Sequence, residues 1–171
     1  VNGNWNPWNG QWNGSDKEAS RKYALAYRHL ITLFREEGAK NVKWVYHVHG
    51  ESKPDEPWNQ VSSYYPGDSY IDMIFVSVFG PQFPDEGWWL FSETWPAIYA
   101  SLKTISEDKQ IYVGELGVTE FPERPHAKAT WLDDAFLTLA RGSYPRLRGF
   151  GYWHERPWEA ARFNNLKIDS T

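Results

Sequence analysis

The run Ile71–Phe79, IDMIFVSVF, limits the fold more than any other stretch of the chain. It is apolar on both faces of an extended backbone, so a strand built from it has two faces to hide. Such strands belong to parallel sheets covered by helices. Three more runs have strand character: Asn41–Val48 (NVKWVYHV), Gln110–Glu115 (QIYVGE) and Leu147–Trp153 (LRGFGYW). Helical patterns lie between them. Ser15 is placed as an N-cap with Glu18 three residues on, and Tyr23, Ala26, Tyr27, Leu30, Ile31 and Phe34 follow at helical spacing up to Gly38. Trp88–Ser106 is predicted helical, with Pro96 near its start or at a kink. His126–Arg141 is predicted helical, with Trp131, Ala135, Phe136 and Leu139 on one face and Gly142 as its stop.

Strands alternating with helices predict a parallel α/β sheet. Each predicted strand runs into a segment of aromatic, charged or turn-forming residues: His49-Gly50-Glu51, Gly80-Pro81, Glu115 and His154-Glu155. Functional side chains at every strand's C-terminal end are the pattern of a (β/α)8 TIM barrel, whereas a doubly wound sheet gathers them at one crevice. Four strands are half of a barrel, and 171 residues fall short of the ~250 a complete one usually takes. Residues 1–171 therefore read as one partial barrel domain, its second half. No signal peptide is visible and the first residue is Val1, which predicts a processed protein or a piece of one.

Gln110–Gly117 carries the chemistry. An apolar run ends abruptly in Gly-Glu-Leu-Gly, and a charge just after a buried strand is costly without a partner or a task. Gly114 and Gly117 remove bulk beside Glu115, which predicts room for a ligand at the carboxylate. Two accounts of Glu115 stand side by side: a catalytic group at a barrel rim, and a strand-end carboxylate paired with an arginine.

The charge balance is −4, from 18 Lys and Arg against 22 Asp and Glu, which argues against nucleic acid or an anionic membrane as partner. No apolar run approaches a membrane span. There is no cysteine, so disulfides are excluded. The aromatic content is 18%, with 11 Trp, more than a core of this size needs. Surplus indoles in an acidic chain suit a ligand with apolar faces and many hydroxyls, such as a sugar; the alternative is that many of them pack in the core. Residues 1–13 hold three Trp and five Asn with no regular period, the composition of a binding loop rather than a linker.

These residues resemble glycoside hydrolase family 26, which includes endo-β-mannanases, some lichenases and β-1,3-xylanases. Its members carry a motif near His-Glu-x-Asn-Gly-x-Trp-x-Pro-Trp at the end of barrel strand 4. The segment Val1-Asn2-Gly3-Asn4-Trp5-Asn6-Pro7-Trp8 matches it from the third position. The likeness continues through the first helix, Tyr64-Tyr65-Pro66-Gly67-Asp68, Gly114-Glu115-Leu116-Gly117, Tyr152-Trp153 and the segment from Asn165 to Ser170. It implies a barrel covered here from the end of strand 4 to the loop after strand 8. It implies Glu115 as the catalytic nucleophile at the end of strand 7. The general acid/base Glu and its preceding His would lie just before Val1, so the chain alone is expected to be inactive.

Many members place a Tyr at the position of Phe79, with its hydroxyl on the nucleophile. Phe79 keeps the ring and loses that bond, so either the charge on Glu115 is less well held or another donor replaces the Tyr, with His49 and His154 as candidates. Trp153 is the candidate platform for the sugar at the cleavage point. Trp5, Phe79, His49, His154 and Asn2 complete the candidate substrate-binding set, and Trp8 is read as structural. His154-Glu155 equally suits a salt bridge with Arg156 or Arg162. His47, His49 and Glu51 alternate along a strand end in a way that can hold a metal, but no further ligand group is evident elsewhere. Neither metal nor cofactor is expected.

Two functions follow. One is a retaining endo-glycoside hydrolase on a β-linked polysaccharide, with β-1,4-mannan the first candidate, secreted or periplasmic. The other is a non-catalytic carbohydrate-binding barrel remnant. In either, the open sheet edges predict pairing with the missing N-terminal half or another chain.

Overall fold

The computed structural model describes residues 1–121, 123–155 and 165–168. Three α-helices and four strands follow in the order α1 (Lys17–Glu36), β1 (Val45–His49), β2 (Met73–Phe79), α2 (Phe91–Lys103), β3 (Gln110–Gly117), α3 (Ala127–Ala140) and β4 (Leu147–Tyr152), with only a 3-10 turn, Pro57–Asn59, in the connection from β1 to β2. The strands form one parallel sheet in the order β1-β2-β3-β4. Parallel strands laid down in sequence order with right-handed crossovers put every helix on the same face. A doubly wound sheet reverses direction and covers both. The sheet is therefore a segment of a (β/α)8 barrel wall, as its sequence predicts.

The helix-facing side supplies the core. Tyr46 and Val48, Ile74, Val76 and Val78, and Ile111, Val113 and Leu116 are buried there with Ile31, Phe91, Trp95, Leu102 and Trp131. At roughly 1.5–3 kcal/mol for each large apolar side chain fully buried, this layer is the main source of stability. Trp95 and Trp131 account for part of the aromatic surplus. Both are wholly buried, and neither indole N–H has a partner among the described residues. The opposite, barrel-facing side is only half-buried. A ladder of rings crosses it, His47 to Phe75 at 6.1 Å and Phe75 to Tyr112 at 5.1 Å.

Helix α1 departs from its predicted start and, in part, from its predicted face. Its N-cap is Asp16, whose Oδ1 accepts from the Ala19 N–H at 2.8 Å, while Ser15 takes a left-handed conformation with φ 56°. Glu18 pairs with Arg21 instead of reaching back to the cap. The buried stripe is Ala19, Ser20, Ala24 and Ile31, flanked by Tyr23 and Tyr27. Of the six residues at helical spacing, Tyr23, Tyr27 and Ile31 pack on the core, while Ala26, Leu30 and Phe34 are exposed together with Leu25 and Leu33. Pro96 sits in the second turn of α2, near its start.

The Trp-rich N-terminal loop is tied down by its amides. Asn9 is buried and its Nδ2 donates to Val1 O and Asn59 Oδ1. The Tyr64 hydroxyl donates to Asn59 Oδ1 and accepts from the Gly10 N–H. Asn59, in the loop after β1, also donates to the carbonyls of Asn2 and Pro54. Four polar groups that would be costly to bury alone satisfy one another and hold the loop against the end of β1.

Candidate active site

Residue parity alone would turn Glu115 the wrong way. On β3, Ile111 and Val113 face the helices and pair with Ile74 and Val76, while Tyr112 faces the barrel side opposite Phe75. Strict alternation sends residue 115 to the helix side with 111 and 113. The register shifts after Val76, however, and Glu115 pairs with Ser77 while Gly114 is left over. The same shift separates the pairs Val113–Phe150 and Leu116–Tyr152 on the β4 side. Gly114 is thus a β-bulge, the device by which a strand re-aims a side chain. It places Glu115 on the barrel-facing side, at the C-terminal end of the sheet.

The glycines serve this packing rather than a ligand. A Cβ on Gly114 would lie 2.6 Å from Phe75 Cδ2, and one on Gly117 would touch Phe79 and Leu166 at 3.4–3.5 Å. The room predicted beside the carboxylate is filled by these side chains. Gly151 completes the bulge, since a Cβ there would sit 3.1 Å from the Gly114 carbonyl oxygen.

Among the described residues Glu115 makes no ion pair, with an arginine or any other cation. Ser77 Oγ donates to Glu115 Oε2 at 2.6 Å, and His47 Nε2 lies 2.9 Å from the same Oγ. The donor sought at His49 or His154 is therefore Ser77, on the neighbouring strand. Sequence reasoning missed it because a serine inside an apolar strand reads as filler; its small polar side chain in IDMIFVSVF was the available signal. Glu115 Oε1 has no hydrogen-bond partner among the described residues.

The chain's first residue reaches the same place. The Val1 nitrogen donates to the His47 carbonyl at 3.3 Å. Burial lowers the His47 pKa, against an opposing pull from the charge on Glu115. His49 is lowered by burial too, offset by its bond to the Glu51 carbonyl and by the Glu51 charge.

At the same C-terminal end of the sheet the candidate binding residues form an arc of rings. Trp5 meets His49 edge-on at 5.0 Å, His49 stacks on Phe79 at 6.4 Å, and Phe79 meets Trp153 edge-on at 6.4 Å. The Trp153 N–H of the main chain is pinned to the Leu116 carbonyl, and its buried indole N–H has no partner among the described residues. Trp5 is 58% exposed, enough to offer a ring face, and Trp8 is also exposed. Beside Ser77, between the ends of β1 and β2, opens a cleft of about 240 Å³ walled by His49, Glu51, Lys53, Phe79, Gln82 and Trp89.

Two candidates differ from their predicted placement. Asn2 is wholly buried, and its amide is spent on the end of β1: Oδ1 accepts from His49 N, and Nδ2 faces His49 O, Glu51 O and Ser52 Oγ. It shapes the loop that carries His49 and offers no group to a sugar. His154 is exposed beyond β4, where its Nδ1 accepts from the Ile168 N–H. Arg156 and Arg162, its alternative partners with Glu155, lie outside the described residues. His47 and His49 each have their own bonding partners on separate levels of the site, and no cluster of three metal-ligating side chains occurs among the described residues.

Comparison with known proteins agrees with this geometry. A family model described as Glycosyl hydrolase family 26 matches residues 1–107. Endoglucanase H of Acetivibrio thermocellus is 30% identical over 170 residues, 96% of this chain and 18% of that protein. Mannan endo-1,4-beta-mannosidase A and B of Caldalkalibacillus mannanilyticus is 31% identical over 83 residues, 47% of this chain and 15% of that protein. Among solved structures, the Bacillus subtilis mannanase BCman superposes with a TM-score of 0.52 at 18% identity, covering 89% of this chain and 38% of that one. The YdhT protein from Bacillus subtilis superposes at 0.51 with 19% identity, covering 82% and 35%. At such identities the two structures share the fold alone. The chain spans less than a fifth of either relative's length.

Proposed function

Because the chain belongs to glycosyl hydrolase family 26, we propose that it carries the nucleophile half of a retaining endo-glycosidase acting on a β-linked polysaccharide. One observation supports this above the rest: a bulge turns Glu115 onto the barrel-facing side, at the sheet end that carries an arc of aromatic rings, with one carboxylate oxygen held and the other without a hydrogen-bond partner among the described residues.

The chemistry needs two carboxyls about 5–5.5 Å apart. Glu115 Oε1 attacks the anomeric carbon as the bond to the leaving oxygen breaks. A second carboxylic acid gives that oxygen its proton, and a glycosyl ester on Glu115 results. The second group, now a carboxylate, then takes a proton from water. The water oxygen attacks the same carbon and Glu115 is released, so two inversions retain configuration. We assign the second role to a Glu immediately before Val1. The position of the Val1 nitrogen, which donates to the carbonyl of His47 on the strand beside Ser77, supports it.

The names of the relatives divide between endoglucanase and mannan endo-1,4-beta-mannosidase. We place β-1,4-mannan first and β-glucan second. A polymer of this kind does not cross a membrane, so the site of action is extracellular or periplasmic. The test is digestion of mannan and β-glucan by the full-length protein and its Glu115→Gln variant. New reducing ends are expected from the native protein, and a loss of about three orders of magnitude or more from the variant. Equal rates would remove Glu115 from the mechanism. Glycan binding without cleavage by the native protein would leave a carbohydrate-binding remnant.

A further inference from the structure

The nucleophile is held by a two-residue relay that starts on the far strand of the sheet. Ser77 is buried, and the bulge brings it directly opposite Glu115. Its Oγ lies 2.6 Å from Glu115 Oε2 and 2.9 Å from His47 Nε2. Proton counting fixes the direction of both bonds. An ionised carboxylate only accepts, and a serine hydroxyl has one hydrogen to give. That hydrogen goes to Glu115, so the Oγ lone pair must accept from a hydrogen on His47 Nε2. The imidazole beside it is held by the Phe75 ring at 6.1 Å.

We propose that Ser77, oriented by the Nε2–H tautomer of His47, is the positioning residue that fixes Glu115 Oε2 and leaves Oε1 as the attacking oxygen. Phe79 supplies no hydroxyl, and the donor comes from two residues deeper on the same strand. Burial favours the neutral imidazole, which suits an Nε2–H donor with a bare Nδ1. The inference rests on Glu115 being the nucleophile, but its first readout does not.

That readout is the tautomer. In full-length protein labelled with ¹⁵N-histidine, the His47 signals are assigned by comparison with a His47→Gln variant. At neutral pH they are expected to show a protonated Nε2 and an unprotonated Nδ1. The Nδ1–H tautomer would overturn the relay, since Ser77 would then have to give its only proton to His47. The second readout is kinetic. Ser77→Ala is expected to lower kcat on the order of 10- to 100-fold with KM unchanged, the size of a lost hydrogen bond to a charged group. Ser77→Thr keeps the hydroxyl and is expected to restore most of kcat. A Ser77→Ala variant that folds and turns over at the native rate would overturn the relay, as would a Thr variant as impaired as Ala. Failure of the glycosidase assignment is seen separately, as full activity in Glu115→Gln.

Discussion

Replacing Gly114 by alanine tests the bulge that aims the carboxylate. The new Cβ would lie 2.6 Å from Phe75 Cδ2 and 3.2 Å from both Phe75 Cβ and Cγ, where ordinary contact begins at 3.4 Å. Turning the Phe75 ring relieves the first clash but not the contact with Cβ, which the β2 backbone fixes. One strand must therefore shift, and overpacking of this kind costs about 1–3 kcal/mol. For a chain of this length that is a fall in Tm of about 2–12 °C. Gly117→Ala is the companion variant. Its Cβ meets Phe79 and Leu166 only at 3.4–3.5 Å, so its packing cost is expected to be under about 1 kcal/mol. Urea unfolding of both variants gives the comparison, and Phe75→Leu in the Gly114→Ala background is expected to recover part of the loss. Because Phe75 also contacts His47 and Tyr112, a shift there propagates to Ser77 and Glu115. Gly114→Ala proving no more costly than Gly117→Ala would refute the packing argument.

Two other perturbations follow from the same geometry. His47 and His49 have folded pKa values below the ordinary 6.5. The unfolded chain therefore binds more protons below that pH, and stability is lost as pH falls from 6.5 through the folded values. The slope is at most ~1.4 kcal/mol per pH unit for each histidine, and His49→Gln is expected to flatten it as pH falls below 6.5; an unchanged slope in urea titrations would contradict the burial of His49 as the neutral form. Leu25, Leu30, Leu33 and Phe34 on α1 and Leu137 and Phe150 at the other end are exposed, so this 171-residue chain by itself is expected to self-associate. A sedimentation mass of one chain across the micromolar range would count against it.

The barrel wall was legible because it depends on coarse patterns. Four apolar runs separated by helical periods allow few topologies, and the sequence order of the strands follows from right-handed connection. The position of Glu115 at a strand end was legible too, but its direction was not. A period of two sends residue 115 to the helices, and only a one-residue bulge reverses it; Gly114 hinted at the bulge and was read as ligand room. The face of α1 was legible only in part, for a related reason. Leu30 and Phe34 fit a helical period as well as Ala24 and Ile31 do, and periodicity does not say which stripe meets the sheet. Asp16 and Ser15 are both good N-caps, and only the left-handed backbone at Ser15 separates them. Ser77 and His47 were invisible as a pair because the contact joins strands 30 residues apart.

The central claim is that Glu115 forms the glycosyl ester, and trapping that ester tests it most directly. A 2-deoxy-2-fluoro glycoside with an activated leaving group forms the ester quickly and releases it slowly. Incubated with full-length protein and digested, it should leave the sugar's mass on the peptide that contains Glu115 and nowhere else. A label on another carboxylate, or turnover that continues with Glu115 unlabelled, would contradict the account.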